Sequence, residues 1–218
     1  MLKKTIIALS IFAGLIILAV AYLFISTWAS RPKTDKDFLS QLKGEVVFTR
    51  RNADGISDIW KINANGTDEK LLFHNNLNSF KTDSRNPLWS IDGEKIYFVS
   101  FDQNKKEIIY EMRSDGTDLK PAVNPDPKPA DFSQYSREKD IKEFKGDLFI
   151  TQNGQDVLIF KHSGYYSQDF AAGSGAREAS WNPDKQYVIF EVDGTITVAD
   201  KNGRLTKITN GNTPDWKY

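Results

Sequence analysis

The fold follows from the stretch Asn86-Pro87-Leu88-Trp89-Ser90-Ile91-Asp92-Gly93-Glu94-Lys95-Ile96-Tyr97-Phe98-Val99-Ser100. It predicts a short strand that ends at Trp89, a tight turn at Asp92-Gly93, and a second strand from Lys95 to Ser100. Asp-Gly favours a hairpin turn, since glycine accepts the positive φ that such a turn imposes. The second segment is rich in β-branched and aromatic residues, as expected of a buried strand. Variants of this unit make up most of the remaining chain.

A second unit consists of a strand, an Asn-Gly or Asp-Gly turn, and another strand. Residues 58–70 match residues 108–120, so that Trp60 corresponds to Tyr110 and Gly66 corresponds to Gly116, which follows Asp115. A third copy runs from residue 195 to residue 209 and turns at Gly203. Recurrence of the same turn chemistry at similar spacing indicates an internal repeat.

The tryptophan unit also recurs. At Trp181 the turn is made by Pro183-Asp184, and Lys185 stands where the first copy has glycine. The spacing from Trp89 to Trp181 corresponds to two repeats of roughly 46 residues, so a degenerate copy is expected near residue 135. We predict the strands of that copy near residues 147–151 and 156–161.

A period of about 40–50 residues with several short strands per repeat is typical of a β-propeller. These motifs resemble the TolB-like branch of propeller repeats, whose pattern is Pro-x-Trp-Ser-Pro-Asp-Gly, an apolar strand, and a further strand closed by Asp-Gly. The resemblance covers residues 44–218. It implies an all-β propeller, and contact with other proteins as the usual role. The roughly 175 residues of this region divide into about four blades of about 44 residues each.

The two ends of the repeat region complement each other. The first repeat begins at Gly44 without a tryptophan unit, whereas the chain ends with the unit Pro214-Asp215-Trp216 and no blade after it. We therefore expect the C-terminal strand to complete the first blade, which closes the ring and removes its free edges. The alternative is a frayed C-terminus and an open array.

The N-terminal region predicts a membrane anchor. No charged residue occurs from residue 5 to residue 30, and residues 5–28 are long enough to cross a bilayer as one helix. We expect a cytoplasmic head at residues 1–4, an anchor within residues 1–30, a polar tether at residues 31–43, and a propeller outside the cytoplasm. A single-pass protein of the cell membrane is the preferred reading, and a cleavable signal peptide is the alternative.

Composition limits the possible partners. The chain has 29 basic and 29 acidic residues, so no overall field attracts nucleic acid. It has no cysteine, which excludes disulfides and thiol catalysis. His74 and His162 are too few for a zinc site, and the Asp-Gly turns lack the order of ligands in a calcium loop. We expect no metal, no cofactor and no catalytic residues.

The repeated aromatic residues are better explained by packing between blades than by ligand stacking, because they occupy repeat positions. This set comprises Trp60, Trp89, Tyr110, Trp181 and Trp216. The candidates for a contact surface are Tyr165, Tyr166 and Phe170, which lie beside a glycine-containing segment in the loop from residue 163 to residue 177. The alternative is that these three rings cover the core of the third blade.

Three functional hypotheses follow. The first is a membrane-tethered, non-enzymatic propeller that binds a protein or an envelope ligand on one face. The second is an enzyme, or a glycan or small-molecule binder, that uses carboxylates at the central channel and requires raised pKa values there. The third is a structural subunit of a larger envelope complex, or half of an eight-bladed dimer.

Overall fold

The computed structural model describes residues 12, 14–22, 32–74, 84–102, 104, 106–125, 139–162 and 175–217. These residues form two helical segments, α1 (residues 14–22) and α2 (Lys36–Leu39), and fifteen strands. The strands are β1 (Glu45–Arg51), β2 (Ser57–Asn63), β3 (Lys70–Phe73), β4 (Arg85–Trp89), β5 (Lys95–Phe101), β6 (Glu107–Arg113), β7 (Lys120–Pro121), β8 (Ile141–Phe144), β9 (Asp147–Gln152), β10 (Gln155–Phe160), β11 (Ala176–Trp181), β12 (Tyr187–Val192), β13 (Thr195–Asp200), β14 (Leu205–Asn210) and β15 (Asn212–Lys217).

The strands form four antiparallel sheets. Sheet I has the order β15-β1-β2-β3, sheet II has β4-β5-β6-β7, sheet III has β10-β9-β8, and sheet IV has β11-β12-β13-β14. The quoted stretch supplies β4, a turn, and β5, as its sequence predicts. The strands predicted for the degenerate repeat are also present, as β9 and β10. The residues around position 135 lie outside the described residues.

Sheet I contains both ends of the repeat region. The C-terminal strand β15 pairs antiparallel with β1, with Val46 opposite Trp216 and Val47 opposite Asp215. The predicted pairing of the last strand with the first repeat is therefore confirmed. It covers the edge of β1 that would otherwise be exposed.

Neighbouring sheets are joined by one recurring backbone hydrogen bond. The N–H before or at the start of β4, β11 and β15 donates to a carbonyl in the preceding sheet, from Ser84 to Ser57, from Ala176 to Gly146, and from Gly211 to Gly194. These bonds connect sheet I to II, sheet III to IV, and sheet IV to I. The described part of the chain is thus all-β apart from its short helices, and these three junctions between the four sheets are compatible with a propeller-like fold.

The N-terminal arm, which we define as residues 32–43, packs against the sheets. Helix α2 begins after Asp35, whose side chain accepts a hydrogen bond from the Phe38 backbone N–H at 3.0 Å. Phe38, Leu39 and Leu42 are buried in a core cluster formed by sheets I and IV. The segment predicted as a polar tether therefore carries apolar side chains that cover the interface between the first and last sheets.

The predicted membrane segment, residues 5–28, falls mostly outside the described residues, as does the predicted cytoplasmic head at residues 1–4. Only residue 12 and the α1 residues 14–22 are described within it. In the described part of the chain, no helix is both long and apolar enough to cross a bilayer.

Candidate functional site

A polar pocket lies between sheet II and the closing strand of sheet I. It is a cavity of about 710 Å³ formed by the β4–β5 turn, the end of β6, the β6–β7 turn, and Lys217 at the end of β15. We call the side of the molecule on which it opens the pocket face. The residues that line it are Gly93, Glu94, Lys95, Glu111, Met112, Arg113, Ser114, Asp115, Asp118 and Lys217.

The walls of this pocket carry charges of both signs. Glu111 is buried and accepts from Lys95 Nζ at 3.2 Å, while Lys120 Nζ lies 3.6 Å from the same carboxylate. Lys120 also pairs with Asp118 at 2.9 Å, and this contact lowers the pKa of the Asp118 carboxyl. The cross-strand pairs hold these side chains against β5, β6 and β7. Most small-molecule pockets are largely apolar, so this lining favours a charged, polar ligand.

Lys217 fixes the relation between the two sheets at the pocket. Its ammonium donates to the Gly93 carbonyl at 2.6 Å, lies 3.3 Å from Glu45, and sits 4.0 Å from the centroid of the Trp89 ring. The Glu45 carboxyl also pairs with Lys61. Burial by itself would raise the pKa of this carboxyl, but the Lys61 and Lys217 ammonium groups outweigh burial and lower it. The closing strand therefore both completes sheet I and shapes the pocket wall.

Two charged side chains at the pocket remain available to bind a ligand. In the described ranges, neither Glu94 nor Arg113 has an ion-pair or hydrogen-bond partner for its side-chain head group, and both are exposed. A guanidinium offers five donors in a planar fork, whereas a carboxylate only accepts. A ligand that presents both an acidic and a basic group matches this pair.

A second charged cluster is buried between sheets III and IV. The Glu191 carboxylate is fully buried and pairs with Arg177, and its other oxygen accepts from the Gly194 N–H at 2.6 Å. Glu143 accepts from the Ala179 N–H at 2.9 Å. Burial raises the pKa of the Glu143 carboxyl, although that hydrogen bond and Arg177 oppose the shift.

The role of Glu143 follows from the backbone conformation of β4, β11 and β15, the strands that carry the repeat tryptophans. The residue three positions before each repeat tryptophan has a positive φ, +51° at Asn86, +55° at Glu178 and +49° at Thr213. In sheets II and I the next residue is Pro87 or Pro214, which has no N–H. In sheet IV it is Ala179, which is buried, so its N–H needs an acceptor. Glu143 supplies that acceptor.

The histidines lie apart from the pocket. His74 Nδ1 lies 2.8 Å from the buried Asp58 carboxylate, which also accepts from Asn52. The His162 backbone N–H donates to Asp147. In the described part of the chain, no three histidine, aspartate or glutamate side chains are grouped closely enough to hold a metal ion.

The repeat residues take up two kinds of position. Trp89, Trp181 and Trp216 are buried, while Trp60 and Tyr110 are partly buried. Trp216 donates from Nε1 to the Lys43 carbonyl at 2.9 Å and stacks on Tyr187 of sheet IV. The turn positions are Gly66, Asp92, Gly93, Asp115, Gly116, Pro183, Asp184 and Gly203.

The turn residues act locally or at sheet interfaces. The Asp115 carboxylate accepts from the side chain and N–H of Thr117, which lowers its pKa. A Cβ added at Gly116 would lie 3.2 Å from the Leu72 carbonyl, and one added at Gly203 would lie 3.4 Å from that of Ile159. Each of these turns thus abuts the outer strand of the preceding sheet.

Sequence reasoning missed the pocket. The proposed contact residues Tyr165, Tyr166 and Phe170 lie outside the described residues, whereas the pocket uses Glu111, Arg113 and Lys217. A partial signal was available, because Glu111, Arg113 and Asp115 alternate along the strand and turn of the second repeat. Lys217 could be placed there only after β15 had been assigned to sheet I.

Comparison with solved structures gives weak similarities. TolB from Acinetobacter baumannii matches with a TM-score of 0.33 and 16% identity, over 77% of this chain and 53% of that chain. A putative TolB from Agrobacterium tumefaciens gives 0.30 and 13%, over 78% and 64%. A putative 6-phosphogluconolactonase from Bacteroides uniformis gives 0.22 and 14%, over 78% and 54%.

The chain thus spans between half and two thirds of the length of these structures. Their TM-scores are too low to assign a fold or an activity. No family model matches the chain, and no curated protein matches it.

Proposed function

We propose that this protein is a membrane-tethered, non-enzymatic β-propeller of four blades that binds a segment of a partner protein at the pocket face. The observation that carries this proposal is the mixed-charge pocket between sheets I and II. Its wall holds four acidic and three basic side chains, and Glu94 and Arg113 at this pocket lack partners among the described residues. Such a surface favours a peptide segment with both charge signs over nucleic acid or an apolar small molecule.

The tether is proposed from the N-terminal sequence together with α1. The described large apolar side chains of residues 12–22 are exposed, among them Ile17, Leu18 and Tyr22. Contiguous exposed apolar surface on a water-soluble protein marks contact with a membrane or a partner. A bilayer would cover it, with residues 5–28 as the anchor and the propeller on the extracytoplasmic side.

Site-specific photo-crosslinking tests the pocket. A photoreactive amino acid at Ser114, a lining residue with no charge to lose, is expected to capture one protein species in the native cells. Capture should fall at least tenfold when Arg113→Glu is added, because like charges then face the acidic group of the partner. The control position is Val157, an exposed residue of sheet III. The proposal fails if positions Ser114 and Val157 capture the same species, or if Arg113→Glu leaves capture unchanged.

A carboxylate-dependent enzyme is the second candidate, and the raised pKa of Glu143 is the observation in its favour. A catalytic role requires the carboxyl group to meet substrate, whereas Glu143 is occupied by the Ala179 N–H. Under our proposal, Glu143→Gln changes stability without abolishing binding at the pocket face. The remaining alternative, a larger envelope assembly or an eight-bladed dimer, predicts a solution mass above that of the monomer.

A further inference from the structure

The path of the N-terminal arm determines where the chain enters the propeller. The Lys207 N–H donates to the Lys33 carbonyl at 3.1 Å, and the Asp35 N–H donates to Thr206 Oγ1 at 2.9 Å. The Arg204 guanidinium then bonds the Asp35 carboxylate at 2.7 Å. The arm therefore runs antiparallel to β14, and Pro32 lies toward the Asn210 end of that strand.

That end of β14 belongs to the side opposite the pocket. Pro32, Lys33, Asn210 and the Gly194 turn line a second cavity of about 450 Å³. The Gly194 carbonyl accepts from Gly211, and β15 follows at once and runs to Lys217 at the pocket. Six residues of β-strand cover roughly 17–20 Å, so β15 crosses the molecule from one side to the other. We call the side with Pro32 and Gly194 the tether face.

The distance from the proposed anchor to this face is short. This step rests on the proposed function, in which residues 5–28 cross the bilayer. Four Cα–Cα steps separate residue 28 from Pro32, and a fully extended chain covers at most about 14 Å over that length. The tether face must therefore lie close to the bilayer surface.

The chemistry of the tether face suits that position. The Gly146 turn of sheet III makes the same backbone bond as the Gly194 turn, from Ala176, so it lies on the same face. Beside it, the Phe144 side chain is 61% exposed, and Lys145 Nζ lies 5.2 Å from the centroid of its ring. Exposed aromatic rings and lysine side chains are favoured at the membrane–water interface.

We propose that the tether face rests on the lipid surface, with Phe144 and Lys145 at the level of the headgroups. The pocket then points away from the membrane, toward partners in the extracytoplasmic space. The surface recognised is a bilayer that contains anionic lipid, which attracts the lysines. The anchor and the pocket do not determine this orientation by themselves, because with a long linker either face of a propeller could turn toward the bilayer. The short distance from residue 28 to Pro32 selects the tether face.

The absence of cysteine allows a direct test on the full chain. Lys161 lies beside the Gly146 turn, because Phe160 pairs with Leu148 and the His162 N–H donates to Asp147. Lys161→Cys therefore places a nitroxide label on the tether face without altering Phe144 or Lys145. Ile91→Cys places the matched label on the pocket face, at a turn residue that is 83% exposed. Both variants are inserted into vesicles of phosphatidylcholine and phosphatidylglycerol. Collision of each label with lipid-soluble oxygen and with a water-soluble nickel complex is then measured by electron paramagnetic resonance.

We expect the oxygen-to-nickel accessibility ratio to be at least threefold higher at residue 161 than at residue 91. Equal ratios, or a higher ratio at residue 91, would overturn the proposed orientation. Flotation of the same vesicles separates this outcome from failure of the tether. Protein that does not float shows that the anchor proposal is wrong, whereas protein that floats with equal ratios contradicts the orientation alone.

Discussion

A positive φ recurs three residues before each repeat tryptophan, at Asn86, Glu178 and Thr213. The bulge turns the following N–H out of the regular ladder, and a buried N–H without an acceptor is costly. In sheets I and II the following residue is a proline, which has no N–H to satisfy. In sheet IV the N–H donates to Glu143. Two different residue types thus solve one backbone problem.

The pairing of Glu143 with Ala179 can be measured by a double-mutant cycle. We expect Glu143→Ala to cost about 1–3 kcal/mol, because it leaves the buried Ala179 N–H unsatisfied. In an Ala179→Pro background the same change should cost less than half as much, since no N–H remains. Urea unfolding of the four proteins measures the coupling. Equal costs in both backgrounds would show that the hydrogen bond is not what Glu143 contributes.

The raised pKa of the Glu143 carboxyl gives stability a defined pH dependence. Above the ordinary glutamate pKa the unfolded chain has lost the proton that the folded protein still holds. Stability therefore falls as pH rises through the window between the unfolded and folded pKa values. Glu143→Gln cannot ionise, so its stability relative to wild type should increase from pH 4 to pH 7. A difference that stays constant over this range would refute the assignment.

At the scale of elements, sheet I combines strands from both ends of the repeat region, and Gly44 lies where β1 and β15 meet. Gly44 has a φ of +91°, and a Cβ there would lie 2.0 Å from the Lys217 carbonyl. The glycine therefore allows β1 to start directly beside the last residues of β15. Its role is in the pairing of two elements rather than in a local turn.

Alanine at two glycines separates these effects. Gly55 has a φ of +76° with nothing within 4 Å of the added Cβ, so Gly55→Ala should cost only the backbone strain, about 1–2 kcal/mol. Gly44→Ala adds the clash with Lys217 and should cost about 1–3 kcal/mol more. Thermal and urea unfolding of both variants measure the difference. Similar losses of stability in the two variants would mean that β15 can move away from the added Cβ at little cost.

Several elements could be predicted from the sequence because their information is local. Asp92-Gly93 and the β-branched run after it define β4 and β5, and the repeat spacing located β9 and β10. A short helical turn at the end of the N-terminal arm could also be predicted, and α2 is that turn. The packing of the arm could not be predicted, because Phe38 and Leu42 lie among polar residues in the sequence and are buried only by sheets I and IV. The pocket depends likewise on the long-range placement of Lys217.

At the scale of the whole molecule, β15 connects sheet I to sheet IV. Its Trp216 is buried in the core cluster that also holds Phe38 of the arm and Ile189 of sheet IV. Without β15, the edge of β1 and part of this core would face water. The arm alone cannot replace the lost strand, because its contacts lie on sheet IV and the interface.

Deletion of residues 213–218 is expected to remove at least about 3 kcal/mol of stability, since a buried tryptophan and a ladder of backbone bonds are lost. Soluble protein that remains should associate through the uncovered edge of β1. Thermal unfolding and solution mass measure both effects, and deletion of Tyr218 alone is the control. A truncated protein that is as stable and as monomeric as the control would mean that sheet I does not depend on this strand.

The pairing of β1 with β15 also affects biosynthesis. The partner of β1 is β15, and at roughly 5–20 residues per second the ribosome needs about 8–33 s to translate the residues that separate the two strands. Throughout that interval β1 has one edge open to other nascent chains. The cell must keep that edge apart from competing strands until β15 has been translated, so the speed of translation becomes part of how this protein folds.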